Sequence, residues 1–168
     1  MKRIIVVMIM LFLTFNIKSQ SKKEVYKKDN YSIEYNNDWE LDLSGQMNSS
    51  FILFSKIEPN DTFRENVNLL IQDLKGLNMT MESYVDLSES QIKTMIPNSK
   101  LIESKVVDSY YSMVWSGVVG GTELKFKQYF FVKEKEEKAY VLTLTTLPNT
   151  YDKYVEVGSK ILNSFKLK

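Results

Sequence analysis

The chain has 168 residues, 22 basic and 21 acidic side chains, a net charge of +1 at pH 7, no histidine and no cysteine. Without His or Cys there is no Ser-His-Asp or Cys-His arrangement, no thiol nucleophile, no disulfide and almost none of the usual zinc or haem ligation. Lys and Glu are interleaved, and the only dense basic groups are Lys22-Lys23 and Lys27-Lys28, so no phosphate-tracking surface for nucleic acid is present.

Met1 to about Ser19 has the three zones of a secretory signal: basic Lys2-Arg3, an apolar run from Ile4 to Phe15, and a polar end at Lys18-Ser19-Gln20. The apolar run is shorter than the roughly 18 residues of a membrane-spanning helix, so cleavage is expected rather than anchoring. The mature chain is expected to begin between Ser19 and Ser21, in the periplasm or outside the cell, with no stable membrane anchor. It has no cysteine to carry a lipid. Removing residues 1 to 19 takes away Lys2, Arg3 and Lys18 and no acid, so 22 basic residues fall to 19 against 21 acidic ones and the formal charge becomes −2. The expected organisation is a signal at 1–19, a polar spacer at 20–30 and a single domain at 31–168.

From Ser21 to Asn30 only Val25 and Tyr26 offer apolar surface, which suits a spacer or a loosely added edge strand. Tyr31, Ile33 and Tyr35 alternate with Ser32 and Glu34 as in a half-buried strand. Asn36-Asn37-Asp38 is turn chemistry before a second alternation from Trp39 to Leu43, and the two strands are expected to form a hairpin. A loop at Ser44 to Ser50 leads to the apolar run Phe51 to Ser55, the Glu58-Pro59-Asn60-Asp61 loop, and a strand over Asn66 to Leu74.

The period then changes to 3.6. Met81, Tyr84, Val85, Ser88, Ile92, Met95 and Ile96 form one stripe of a helix that Thr80 caps and Pro97 stops. After a strand over Leu101 to Val107, Asp108-Ser109 turns into a three-strand meander from Tyr110 to about Leu147. Gly120-Gly121 accepts the positive φ angles of a two-residue turn. It predicts a register in which Val119 faces Thr122, Gly117 faces Leu124, Trp115 faces Phe126, Met113 faces Gln128 and Tyr111 faces Phe130. Tyr151, Tyr154, Val155, Gly158, Ile161, Leu162 and Phe165 give a closing helix with Asn149 as its expected cap. Strands, one helix, more strands and a closing helix imply an α+β fold: an antiparallel sheet of about six to eight strands. Tyr129 and Phe131 make the second face of the meander apolar as well, which favours an α/β/α sandwich.

Several phrases together resemble the PsbP-like family, named for the extrinsic subunit of photosystem II and including exported bacterial relatives. They are Tyr31-Ser-Ile-Glu-Tyr35 followed by Trp39, Glu65-Asn-Val-Asn-Leu-Leu-Ile71, Leu124 to Phe130 with its Gln128, Ala139-Tyr-Val-Leu-Thr-Leu-Thr145, and Ile161-Leu-Asn-Ser-Phe165. The resemblance implies an antiparallel sheet between helices and an accessory or chaperone-like role without catalysis. Some photosynthetic members bind metal partly through His, a property that does not carry over to a chain without His.

Three constellations deserve a chemical reading. Ser90-Gln91-Ile92-Lys93 matches S-x-x-K, but no S-D-N or K-T-G element accompanies it and Lys93 falls on the polar helix face, so a solvated surface is the expectation. Asn36, Asn37, Asp38, Glu40 and Asp42 carry oxygens for a weak calcium site, without the spacing of an EF-hand loop; turn chemistry explains the same residues. Gln128 places an amide between Phe126 and Phe130 on an apolar face. Its partners are either neighbouring protein groups or a ligand in a pocket that Tyr111, Met113 and Trp115 help to line; core is the preferred reading. The resulting expectation is an exported accessory or binding protein contacting a protein partner, with no catalytic residue, metal or cofactor. The alternatives are a small-ligand carrier with its pocket near Gln128, or a hydrolase.

Overall fold

Residues 22–59 and 61–168 are described by the computed structural model; the signal-like segment at 1–19 lies outside them. In chain order the strands and helices are β1 (Lys23–Lys27), β2 (Tyr31–Asn36), β3 (Glu40–Asp42), β4 (Phe51–Phe54), β5 (Asn66–Asp73), α1 (Met81–Met95), β6 (Lys100–Val107), β7 (Tyr110–Val119), β8 (Thr122–Lys133), β9 (Lys138–Thr146), α2 (Tyr151–Asn163) and β10 (Lys166–Leu167). Short 3₁₀ turns lie at Gln46–Asn48 and Glu134–Glu136.

The large sheet has seven antiparallel strands in the order β3-β4-β5-β9-β8-β7-β6. Its register grows from one turn. Gly120 and Gly121 have φ of 59° and 83°, a conformation that costs a Cβ-bearing residue but not glycine. All five cross-strand pairs expected of β7 and β8 are present, from Val119 opposite Thr122 to Tyr111 opposite Phe130.

Strand alternation then sorts side chains to two apolar faces. On one, Met113, Trp115, Phe126, Phe130 and Val141 pack beneath α1, which contributes Tyr84 and Val85. On the other, Tyr129, Tyr140, Leu142 and Leu144 meet Tyr31, Ile33 and Tyr35 of β2 and Tyr154, Ile161 and Leu162 of α2. The layering is α/β/α, with a small three-stranded sheet, β1-β2-β10, sharing the α2 side. Helix α1 starts on a reciprocal capping box: the Ser83 N–H donates to Thr80 Oγ1 at 3.2 Å and the Thr80 N–H to Ser83 Oγ at 3.0 Å.

Of the two readings of the segment before Tyr31 the edge strand holds and the polar spacer at 20–30 does not: β1 pairs along β2 from Lys23 opposite Asn36 to Lys27 opposite Ser32. Two local expectations are corrected. The strands flanking Asn36-Asn37-Asp38 do not form a hairpin. The other edge of β2 is taken by β10 and by Ser164, whose Oγ accepts the Glu34 N–H at 2.8 Å. With no edge left beside β2, the chain turns at Asn36, buries Trp39 edge-on against Tyr154, and β3 pairs with β4 of the large sheet. Finally, Asn149 does not cap α2. Thr150 holds the N-cap position in helical backbone geometry with no side-chain cap bond, and its hydroxyl is used by buried Glu65 and the Leu147 carbonyl.

Candidate functional site

Helix α1 crosses the large sheet over β7 and β8 and leaves a groove along its side facing β9 and β5. Leu70, Trp115, Gln128, Phe130 and Val141 form its floor; Leu74, Leu77 and Met79 form one wall and Leu87, Ile92 and Met95 the other, enclosing about 610 Å³. The position of α1 is fixed by polar contacts at both flanks. The Tyr84 hydroxyl donates to Gln72 Oε1 on β5, and the Ser104 hydroxyl on β6 donates to Glu89. Burial pushes the Tyr84 phenol up to about 12, so it stays a neutral donor across the physiological range.

The Gln128 amide is bonded to neighbouring protein groups on both adjacent strands. Its Oε1 accepts the Trp115 indole N–H at 2.6 Å and its Nε2 donates to Thr143 Oγ1 at 3.1 Å. An amide has two N–H donors and two carbonyl lone pairs, so one donor and one acceptor remain beyond these two bonds in the groove floor. The Trp115 ring also stacks on Phe126, with centroids 4.0 Å apart. This stacking holds the indole in place while its N–H is satisfied by Gln128.

Of the six side chains singled out from the sequence, Trp115, Gln128 and Phe130 line the groove. Met113 and Phe126 are packed core beneath them. Tyr111 is half-buried at the far side of α1, with its hydroxyl 2.9 Å from Ser104 Oγ, and lines a different hollow beside Met81, Val85 and Val106. Sequence reasoning missed Leu77, Met79 and Leu87. Leu77 and Met79 precede the helix cap and Leu87 falls outside the helical stripe, so three apolar positions without an assigned core role were the available signal.

The remaining chemical candidates do not converge. Ser90 is exposed, and Lys93 pairs with Glu89 at 3.7 Å on the solvent face of α1. Asp42 accepts the Ser44 N–H at 2.6 Å and the Gln46 side-chain amide at 2.7 Å, Glu40 pairs with Arg64 at 2.8 Å, and the Asn37 side chain accepts the Lys22 N–H at 3.1 Å. These oxygens serve separate loops. Among the described residues no three His, Cys, Asp or Glu side chains group to hold a metal.

No family model and no curated protein matches the chain. Solved structures do. The solution structure of cyanobacterial PsbP from Synechocystis sp. PCC 6803 superposes with a TM-score of 0.64 at 17% identity, over 92% of this chain and 98% of that one. The fold is PsbP-like. Two further structures share it. LpqN of Mycobacterium tuberculosis, described as involved in cell envelope biogenesis, has a TM-score of 0.59 at 11% identity over 90% of this chain and 87% of its own. The Ran-binding protein Mog1p of Saccharomyces cerevisiae has 0.57 at 7% identity over 88% and 96%. The PsbP-like resemblance carried by Tyr31 to Tyr35, Gln128 and Ile161 to Phe165 therefore matches the architecture, at identities where the fold alone is shared.

Proposed function

We propose that the protein is an exported, non-enzymatic binding protein that seats an apolar segment of a protein partner in the groove beside α1. The observation carrying this reading is the rim: Leu77, Leu87 and Met95 are 60%, 43% and 72% exposed around a floor of buried Trp115 and Phe130. Large apolar side chains grouped around a concave surface mark interaction sites more often than idle surface, and methionine adapts to partners of irregular shape. Export is supported by the Lys2-Arg3 and Ile4-to-Phe15 zones. A role without catalysis is supported by the dispersed positions of Ser90, Lys93 and the acidic side chains. The PsbP-like structures include one described as Ran-binding and one tied to cell envelope biogenesis, which fits a scaffold used for contact with other proteins.

A small-ligand carrier is the second reading, favoured by one observation: the groove volume of about 610 Å³ with the free donor and acceptor of Gln128 in its floor. One experiment separates the two. The tagged mature protein and its Leu87→Asp, Met95→Asp and Ser90→Ala variants are recovered from native envelopes and weighed by native mass spectrometry. A stoichiometric protein kept by wild type and Ser90→Ala but lost by folded Met95→Asp supports the first reading. A small molecule with the same pattern supports the carrier, and equal recovery by all variants rejects the groove.

A further inference from the structure

The seven-stranded sheet ends in two different edges. β3 is three residues long, whereas β6 runs for eight residues and, among the described residues, no strand lies beside its outer row of backbone donors and acceptors. Long edges invite pairing with other chains, and proteins usually block them with lysines or bulges or keep them short. β6 has a bulge, but it lies between Leu101 and Glu103 near one end and leaves the stretch from Glu103 onward in regular pairing with β7. On the α1 face of this stretch Val106 is 72% exposed and Ile102, at the bulge, is 54% exposed. On the α2 face Glu103 and Lys105 lie two residues apart and form an ion pair with each other.

Set against its own copy, this edge is self-complementary. Two identical strands related by a two-fold axis run antiparallel, and directly opposed residues share a face, so the axis must fall on a residue. With the axis on Ser104, Glu103 stands opposite the copy's Lys105 and Lys105 opposite its Glu103, while the exposed Val106 side chain comes beside the copy's bulge at Ile102. Moving the axis to Glu103 or to Lys105 places two like charges face to face, which destabilises a strand pair. The Ser104 register also neutralises the edge lysine that would oppose an arbitrary strand. The same residue that discourages foreign pairing therefore favours self-pairing.

We propose that β6 is a homodimerisation edge, two copies joining their large sheets antiparallel about an axis at Ser104. This surface is separate from the groove beside α1, and its test does not depend on that groove having a ligand. A single strand pair buries less than a standard interface of about 1,600 Å², so the dimer forms at high protein concentration and dissociates on dilution.

Sedimentation equilibrium of the mature protein from low micromolar to about millimolar concentration reads the association directly. The wild type is expected to dimerise across this range. Glu103→Lys is expected to weaken association at least tenfold by opposing two lysines twice, and Glu103→Lys/Lys105→Glu to restore it by rebuilding both pairs in the opposite sense. Melting temperatures of all three at low concentration, where each is a monomer, check that the exposed substitutions leave the fold intact. A wild type that stays monomeric throughout overturns the proposal. So does a dimer indifferent to Glu103→Lys, or a double variant that remains as weak as the single one.

Discussion

Tyr31 and Tyr140 are both fully buried aromatic side chains of one apolar cluster, yet their hydroxyls are in opposite situations. Tyr140 Oη accepts the Asn30 side-chain N–H at 2.8 Å. Among the described residues Tyr31 Oη has no hydrogen-bond partner, although Tyr26 and Ser50 are its polar neighbours, and burial pushes the phenol up to about 12. An unsatisfied buried hydroxyl costs its desolvation without return, whereas removing one member of a bonded pair orphans the other. Tyr31→Phe is therefore expected to raise stability, by about 1 kcal/mol, and Tyr140→Phe to lower it by about 1 to 2 kcal/mol. Urea denaturation of the two variants measures both; equal and unfavourable changes would show that Tyr31 Oη is satisfied in solution. The residue scale also shows how far the site was legible. That Gln128 needed partners followed from an amide at an apolar strand position. That Trp115 and Thr143 supply them depended on the register across three strands, and the β8–β9 half of it, with Thr143 opposite Gln128, comes from a longer connection than two glycines.

At the scale of elements, legibility follows sequence distance. The β7–β8 register, the ends of α1 and its capping residue were readable because a turn, a cap and a proline act within a few positions. The fate of β3 was not, because it was decided by β10 and Ser164, more than a hundred residues away, occupying the edge of β2. The groove escaped for a related reason: the helical stripe tells which side of α1 is apolar but not how much of the sheet one helix covers. Helix α2 rests on a similar non-local fit. A Cβ at Gly158 would stand 2.5 Å from Leu144 Cδ2 and 3.1 Å from its Cγ, and Leu144 is fully buried with no room to yield. Helix propensity alone predicts that Gly158→Ala stabilises by about 1 kcal/mol. The packing predicts the reverse, a net loss of about 1 to 3 kcal/mol as α2 is lifted from the sheet. Thermal denaturation decides between them, and a stabilised variant would mean that α2 packs less closely than described.

For the whole molecule the buried phenols set a limit in alkali. Burial raises Tyr31 and Tyr84 to about 12 and shifts Tyr129 further in the same direction, while in the unfolded chain tyrosines ionise near their ordinary value of about 10. Between those values the native state holds protons that the unfolded state has released, so stability falls as pH rises. Below about pH 10 both states are protonated and the contribution is fully present. Lys127, whose pKa burial lowers, acts in the opposite sense, because its native state has already lost a proton that the unfolded chain keeps. Three phenols outweigh one amine. The melting temperature is expected to hold to about pH 9 and drop steeply above 10, with tyrosinate absorbance near 295 nm appearing together with loss of structure. Absorbance rising well before unfolding would place these phenols in contact with water.

The small sheet also orders events in time. Tyr31 and Ser32 find their partners in Leu167 and Lys166, and the Ser164 hydroxyl serves the backbone of Glu34 at both its N–H and its carbonyl. Pairings separated by some 130 residues form late, because the intervening chain must be gathered before they repay its closure. While the protein is being synthesised, the apolar face of β2 therefore waits for residues 164–167 to emerge. Until they do, β2 is an unfinished strand with one open edge, and the interval favours any factor that keeps the growing chain apart from its neighbours.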